Sequence, residues 1–355
     1  MADFDGTLIH GGDARGFLAR YGKMPLDFSA NVNPLGAPQA VHDALCHAAQ
    51  DVDRYPDPLC RDLRNAIAQS EGVMPEQVFC AAGAAEIIYR LAAALKPKRA
   101  LIPAPTFSEY ALALAGQGCE VERHWLRDED NFALTPAILP QLRAGIDLVF
   151  LCNPNNPTGS VVDSDLMAEI LKRCAAHHIR LVVDECFLGF TPQPEAHTLT
   201  PILAQYQNLL LLKAFTKLYG MAGVRLGYCL SGDLALLQRL YEAGPPWNVS
   251  SLAQQAGIAA LGARDYLDES RAIVAAQRPR LCAVLGALGL RVIPGEANYV
   301  LFFSATPRLV EKLCEQGVLI RDCANFEGLG DGWYRTAVRT PSENDRLLAA
   351  LKVCL

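Results

Sequence analysis

The chain has 355 residues, 51% hydrophobic and 20% charged, with a formal net charge of −6. That length carries one large domain and a smaller one around sizeable cores. The acidic balance leaves no basic footprint for nucleic acid or an anionic membrane, so an anion site must be built from locally gathered arginines. Turn residues dominate the opening, from His10-Gly-Gly-Asp13 through Asp27-Phe-Ser-Ala-Asn31-Val-Asn-Pro-Leu-Gly36, which reads as an ordered arm. Helical periodicity runs from about Pro38 to Ser70 and breaks at Arg54-Tyr55-Pro56-Asp57-Pro58. Residues 78 to 230 alternate short apolar runs with helices, one of them Ser164 to Ala176 behind a cap at Asp163 or Ser164. The alternation predicts a mostly parallel sheet covered on both faces. Beyond Pro245-Pro246-Trp247 a helical stretch from about 250 to 288 leads to strands at Arg291-Val-Ile-Pro294 and Asn298 to Phe303, then to a closing helix over Leu347 to Leu355. The expected division is an arm at 1–40, a large α/β domain at 41–250 and a small α+β domain at 251–355.

Three apolar runs end in polar residues that serve one chemistry. Leu148 to Leu151 leads into Cys152-Asn153-Pro154-Asn155-Asn156-Pro157-Thr158-Gly159, and Leu181-Val-Val leads into Asp184-Glu185. The third, Leu209 to Leu212, leads into Lys213-Ala-Phe-Thr216-Lys217, with Arg225 eight residues after the second lysine. Carboxyl ends of strands line the ligand crevice of an open α/β sheet. There Lys217 can form a Schiff base with an aldehyde cofactor, and Thr216 and Arg225 can hold an anion attached to it. Asp184 can pair with a pyridine nitrogen, and Asn156 can donate to the ring 3-oxygen. Those are the requirements of pyridoxal phosphate. Taken singly, the same features read as an Asn-Pro turn, a loop-capping aspartate and a surface lysine; the ordered set argues for the cofactor. The twelve cysteines are scattered singly with no Cys-x-x-Cys pair, and the start, Met1-Ala-Asp-Phe-Asp5, carries no secretory pattern. Reduced thiols in a cytoplasmic enzyme without a metal site are expected. His177 and His178 read as the exposed end of a helix.

Through nearly its whole length the chain resembles the fold-type-I pyridoxal-phosphate enzymes of the aminotransferase class I/II superfamily. That implies an α/β large domain with a mostly parallel sheet of the seven-stranded type, plus the smaller α+β domain. Within the superfamily it resembles the threonine-phosphate decarboxylases of cobalamin biosynthesis more than the histidinol-phosphate aminotransferases. The resemblance rests on His10-Gly-Gly, on Asp27 to Gly36 and on Trp333-Tyr-Arg335-Thr-Ala-Val-Arg339-Thr, with Phe187 and Arg339 departing from the aminotransferase pattern. It implies that Phe107 stacks on the cofactor ring and that the amides of Ala84 and Ala85, opening a helix, face its phosphate. Ala84, Ala85 and Ala214 stand where the family commonly has polar residues, which implies a less redundant phosphate clamp. Tyr55 is expected to reach the cofactor of a partner subunit in a homodimer; its other reading is a structured Tyr-Pro-Asp-Pro turn.

Arg321, Arg335 and Arg339 remain. On one strand, the spacing of four would put Arg335 and Arg339 on one face. Any one arginine is ordinarily a surface residue, yet apolar neighbours such as Ile320 and Val338 suggest half-buried strands, where a guanidinium seeks an anion. A small substrate with a phosphate and a carboxylate, such as O-phospho-L-threonine, satisfies all three, with His10, Asn31 and Asn156 completing its site. The resemblance implies decarboxylation to (R)-1-amino-2-propanol O-2-phosphate, the linker of the cobalamin nucleotide loop. Histidinol-phosphate-type transamination and decarboxylation of O-phospho-L-serine stay open, because Lys217 and Asp184 serve all three reactions. No nucleic-acid or membrane partner is expected.

Overall fold

The computed structural model describes residues 10–355. The arm supplies β1 (Leu26–Asp27). A seven-stranded sheet follows, made of β2 (Val78–Ala81), β3 (Arg99–Ala104), β4 (Glu120–Trp125), β5 (Leu148–Cys152), β6 (Arg180–Asp184), β7 (Leu209–Ala214) and β8 (Gly227–Ser231). Its order is β2-β8-β7-β6-β5-β3-β4, parallel throughout except that β8 runs antiparallel to both β2 and β7. The central strands are continuous apolar runs because both faces are covered. Side chains alternate between them: Val149, Leu151, Leu209 and Leu211 enter one core, while Phe150, Cys152, Leu210 and Leu212 enter the other. At the edge, β4 carries Glu120, Glu122 and Arg123, charges that discourage further pairing.

From β3 the chain moves outward to β4 and returns on the far side of β3 as β5. The winding therefore reverses between β3 and β5, and the loops at their carboxyl ends part to open a crevice.

The smaller domain contains β9 (Arg291–Val292), β10 (Tyr299–Phe303), β11 (Val318–Leu319), β12 (Arg321–Asp322) and β13 (Trp333–Ala337). An antiparallel sheet of order β12-β13-β10-β9 packs Phe302 and Tyr334 into a core with Leu281 and Leu285 from the helix Arg264–Ala287 and Leu347 and Leu351 from the helix Pro341–Cys354. β1 pairs in parallel with β11, Leu26 opposite Val318, which stitches the arm to this domain. The last helix opens on a capping box of Thr340 and Glu343 with proline in its first turn.

The expected division at residues 250/251 needs correction. The helix Ser251–Leu261 puts Ala253, Ala256 and Ala260 into the large-domain core beside Leu63 and Ile67. The small residues allow that close approach: a Cβ on Gly257 would stand 2.5 Å from Leu226 and 2.8 Å from Leu63. The change of domain falls in the next helix, whose Val274, Leu281 and Leu285 belong to the other core. Asp163 caps Ser164–Ala176, accepting from the amides of Asp165 and Leu166. Among the described residues no helix is long and apolar enough to cross a membrane.

Candidate active site

The crevice holds a cavity of about 230 Å³ whose walls come from the arm, from the ends of β5, β6 and β7, and from β12 and β13. Lys217 follows β7 in the short helix Phe215–Leu218, and its carbonyl accepts from the amide of Asn33 in the arm. Its amine sits among apolar walls and two guanidinium groups. Burial first, then the charges of Arg335 and Arg225, lower its pKa from 10.5 to about 8, although Cys186 pulls the other way.

Asp184 ends β6 and is 5% exposed. Its Oδ2 accepts from Tyr110 Oη at 2.6 Å and its Oδ1 from the amide of Cys186 at 2.9 Å. Tyr110 is fully buried, stacked on Phe150 at 4.8 Å and edge-on to Phe107 at 5.5 Å. One tyrosine thus steadies both the carboxylate and the pocket's aromatic wall. The Asn156 loop after β5 is tied down through its neighbour: Asn155 donates to the carbonyl of Pro105 at 3.0 Å, and Tyr299 Oη donates to the carbonyl of Asn155 at 2.8 Å. Asn156 Oδ1 accepts from Arg335 Nη1.

An anion cup closes one end of the cavity. Gly83 has φ +98° and precedes the helix Ala84–Leu95, so the amides of that first turn face inward with the positive end of the helix dipole. A Cβ on Gly83 would stand 2.9 Å from Arg225 Nη2, and one on Gly227 only 2.5 Å from the amide nitrogen of Ala84. Only glycine leaves that space. Thr216 and Arg225 line the cup, while Ala84, Ala85 and Ala214 present methyl groups there. An amine, a buried carboxylate, an aromatic face and a guanidinium-lined helix start fit pyridoxal phosphate.

The opposite end carries the other candidates. Arg321 and Arg335 face each other across the β12–β13 pair. Both are buried, and burial lowers the pKa of each. Arg335 Nη2 donates to the carbonyl of Ser29 at 3.1 Å, and Arg321 Nη2 to Asn325 Oδ1 at 2.6 Å. Asn31 is 1% exposed, lines the cavity, and finds no hydrogen-bond partner for either side-chain polar atom among the described residues. A buried amide in that condition calls for a ligand. His10 reaches the rim and is bound to Glu109.

Two of the expected site residues, Arg339 and Tyr55, lie outside the cavity of their own chain, as was expected of Tyr55 alone. Arg339 is a correction: β13 stops at Ala337, so the spacing of four does not act. Its guanidinium turns away to Glu343 at 2.8 Å and the carbonyl of Asp27 at 3.4 Å, over the ring of Phe28. There it braces the arm instead of lining the cavity. Tyr55 is 81% exposed, rests on Trp247 at 4.8 Å and lies outside its own chain's cavity.

Sequence reading missed Tyr110, Cys186, Phe326 and Glu109. Tyr110 and Cys186 had a local signal, three residues after Phe107 and two after Asp184, while Phe326 and the role of Glu109 depend on contacts across the fold. Among the described residues no cluster of His, Cys, Asp and Glu suits a metal ion.

The family description that matches residues 23–351 is aminotransferase class I and II. A threonine-phosphate decarboxylase of Salmonella typhimurium is 39% identical over 97% of this chain and 95% of its own length. A histidinol-phosphate aminotransferase of Symbiobacterium thermophilum is 36% identical over 92% and 89%. The crystal structure of the histidinol-phosphate aminotransferase from Clostridium acetobutylicum superposes with a TM-score of 0.86 at 28% identity, covering 92% of this chain and 98% of that one. With its sheet order, cup and lysine in place, the chain belongs to the aminotransferase class I and II family.

Proposed function

We propose that this chain is a pyridoxal-phosphate-dependent decarboxylase that converts O-phospho-L-threonine to (R)-1-amino-2-propanol O-2-phosphate for the cobalamin nucleotide loop. The observation that carries the reading is the cross-strand pair Arg321 and Arg335, both buried and both lining the cavity that contains Lys217. Two desolvated guanidinium groups beside a third at Arg225 provide seats for a cofactor phosphate and for two further anionic groups. A substrate phosphate and a substrate carboxylate meet that demand. The 39% identical relative bearing the decarboxylase name supports the choice.

Pyridoxal phosphate, when bound, supplies an aldehyde to capture the substrate amine and a protonated pyridine ring to take up electrons as the carboxylate leaves. Lys217 holds the aldehyde end, Asp184 the pyridine nitrogen, Phe107 the ring face and Asn156 the ring oxygen. Thr216, Arg225 and the amides of Ala84 and Ala85 hold the cofactor phosphate. On the substrate side His10, Asn31, Arg321 and Arg335 orient the molecule, and Asn156 joins them through Arg335. Lys217 Nζ, which a pKa of about 8 lets pass between ammonium and amine near neutral pH, is the group that, as the ammonium, returns a proton to Cα where the carboxylate stood. We further infer a cytoplasmic homodimer in which the exposed Tyr55 reaches the partner's cofactor; all twelve cysteines are free, which suits a reducing compartment.

Histidinol-phosphate transamination is the second reading, favoured by the 36% identical relative. Incubation with phosphothreonine, phosphoserine and histidinol phosphate separates them. Carbon dioxide released from phosphothreonine is the expected result, whereas a keto product with glutamate-type pairing would transfer the chain to the aminotransferases. Phosphoserine differs by one methyl, worth about 1–3 kcal/mol, so slower use of it is expected.

A further inference from the structure

Glu109 has no place in the roles above, yet it is built into the rim. It opens the helix Glu109–Ala115, two residues after Phe107, with its side chain 13% exposed. Oε1 meets His10 Nε2 at 2.6 Å and Oε2 accepts from Tyr89 Oη at 2.8 Å. The hydrogen bond from His10, joined by that from Tyr89, holds the carboxyl below the usual glutamate range against the burial that opposes it. The far side of His10 is pinned as well. The amide of Gly12 donates to Ser29 Oγ at 2.7 Å, Ser29 Oγ donates to Asp27 Oδ1 at 2.7 Å, and a Cβ on Gly11 would come within 2.4 Å of the carbonyl oxygen of Ser29. Ser29 is the residue whose carbonyl also receives Arg335. The imidazole, 5.8 Å from the Phe107 ring, therefore stands at the cavity rim with the Glu109 carboxylate on one side, on a backbone held against Ser29.

We propose that Glu109, steadied by Tyr89, is a positioning residue that makes His10 a ligand for the substrate phosphate and so sets the preference for phosphorylated over unphosphorylated amino acids. With Nε2 committed to Glu109, Nδ1 is the ring nitrogen left to meet a substrate phosphate. The carboxylate behind the ring holds it in that orientation while the phosphate arrives in front. The substitution Glu109→Gln would keep the shape and a neutral hydrogen bond but remove the charge that strengthens the hold on the ring.

This inference rests on the phosphate-ester reading, and the experiment keeps the two apart. Holoenzyme of wild type, Glu109→Gln, Glu109→Asp and Tyr89→Phe is titrated with phosphothreonine, threonine and inorganic phosphate, and KM and kcat are measured for phosphothreonine. Loss of one charge-assisted contact predicts roughly tenfold weaker phosphothreonine binding in Glu109→Gln. KM should rise by more than kcat falls, threonine binding should hold, and the cofactor dissociation constant should not move. Glu109→Asp should recover part of the loss, and Tyr89→Phe should show a smaller one. Unchanged phosphothreonine binding in Glu109→Gln overturns the proposal, as does an equal loss for threonine or for the cofactor, which would mark a merely structural role. A wild type that binds phosphothreonine over threonine without releasing carbon dioxide refutes the decarboxylase reading alone. One that shows no such preference refutes both.

Discussion

A lysine that captures an aldehyde must be unprotonated, and the pocket of this protein brings that state within reach of neutral pH. At a pKa of about 8, against 10.5 for a solvated lysine, about a quarter of Lys217 amines are neutral at a pH of about 7.5, compared with about one in a thousand without the shift. The gain in reactive amine is on the order of two hundredfold. Burial is the larger cause and the Arg335 charge the next, so Arg335→Gln relieves one part of the depression and leaves the other. The sign follows: a nearby cation disfavours the ammonium, and its removal raises the pKa. The assay is the rate at which apoenzyme takes up pyridoxal phosphate, followed by absorbance across a pH series. Wild type should accelerate with rising pH through a midpoint near pH 8 and level off above it, with borohydride reduction labelling Lys217. In Arg335→Gln the midpoint should move upward, and uptake at about pH 7.5 should slow accordingly. A wild-type midpoint near 10.5, or a midpoint in Arg335→Gln that stays put or falls, would refute the electrostatic reasoning.

The strand ends were legible because a central parallel strand must be apolar on both faces. Leu148 to Cys152 and Leu209 to Leu212 are buried throughout, so a polar residue at the end of such a run stands at the crevice. Lys217, Asp184 and Asn156 follow from that rule. Arg339 did not, because spacing carries no information about where a strand gives way. The amide of Val338 turns to the carbonyl of Asn298, and Thr340 and Glu343 are taken by the capping box of the next helix, which draws Arg339 with them. Helix Ser251–Leu261 belongs to the large domain, against expectation, for a related reason. Its alanines and Gly257 announce close packing, but nothing in their periodicity names Leu63 and Leu226 as the partners. The tie between His10 and Glu109 spans 99 positions, and no local pattern signals it. Local order is read from the chain, whereas the supports around a site come from the tertiary fold.

Three further outcomes test the site. Asp184→Asn should fold and lose most turnover, because an amide cannot hold a protonated pyridine nitrogen; near-normal turnover would show the electron uptake to depend on another group. Arg321→Ala should lower kcat/KM for phosphothreonine by roughly tenfold or more, the worth of a charge-assisted phosphate contact. Arg339→Gly, which loosens the arm at Asp27 and Phe28 and leaves the cavity lining intact, should cost less, and equal losses would return Arg339 to the pocket. Gly83→Ala tests the anion cup. At φ +98° and ψ 161°, a region nearly confined to glycine, a Cβ costs on the order of 1–3 kcal/mol in the backbone alone, and here it would also press on Arg225 Nη2 at 2.9 Å. Gly72→Ala is the control for a positive-φ alanine without a clash, since Gly72 has φ +69° and open space around its would-be Cβ. Both variants should lose stability in thermal melts. Only Gly83→Ala should also weaken pyridoxal phosphate, by roughly tenfold, because its methyl displaces the guanidinium that meets the cofactor phosphate. If the two bind the cofactor equally well, Arg225 is free to move aside, and the close approach of Gly83 is not what shapes the cup.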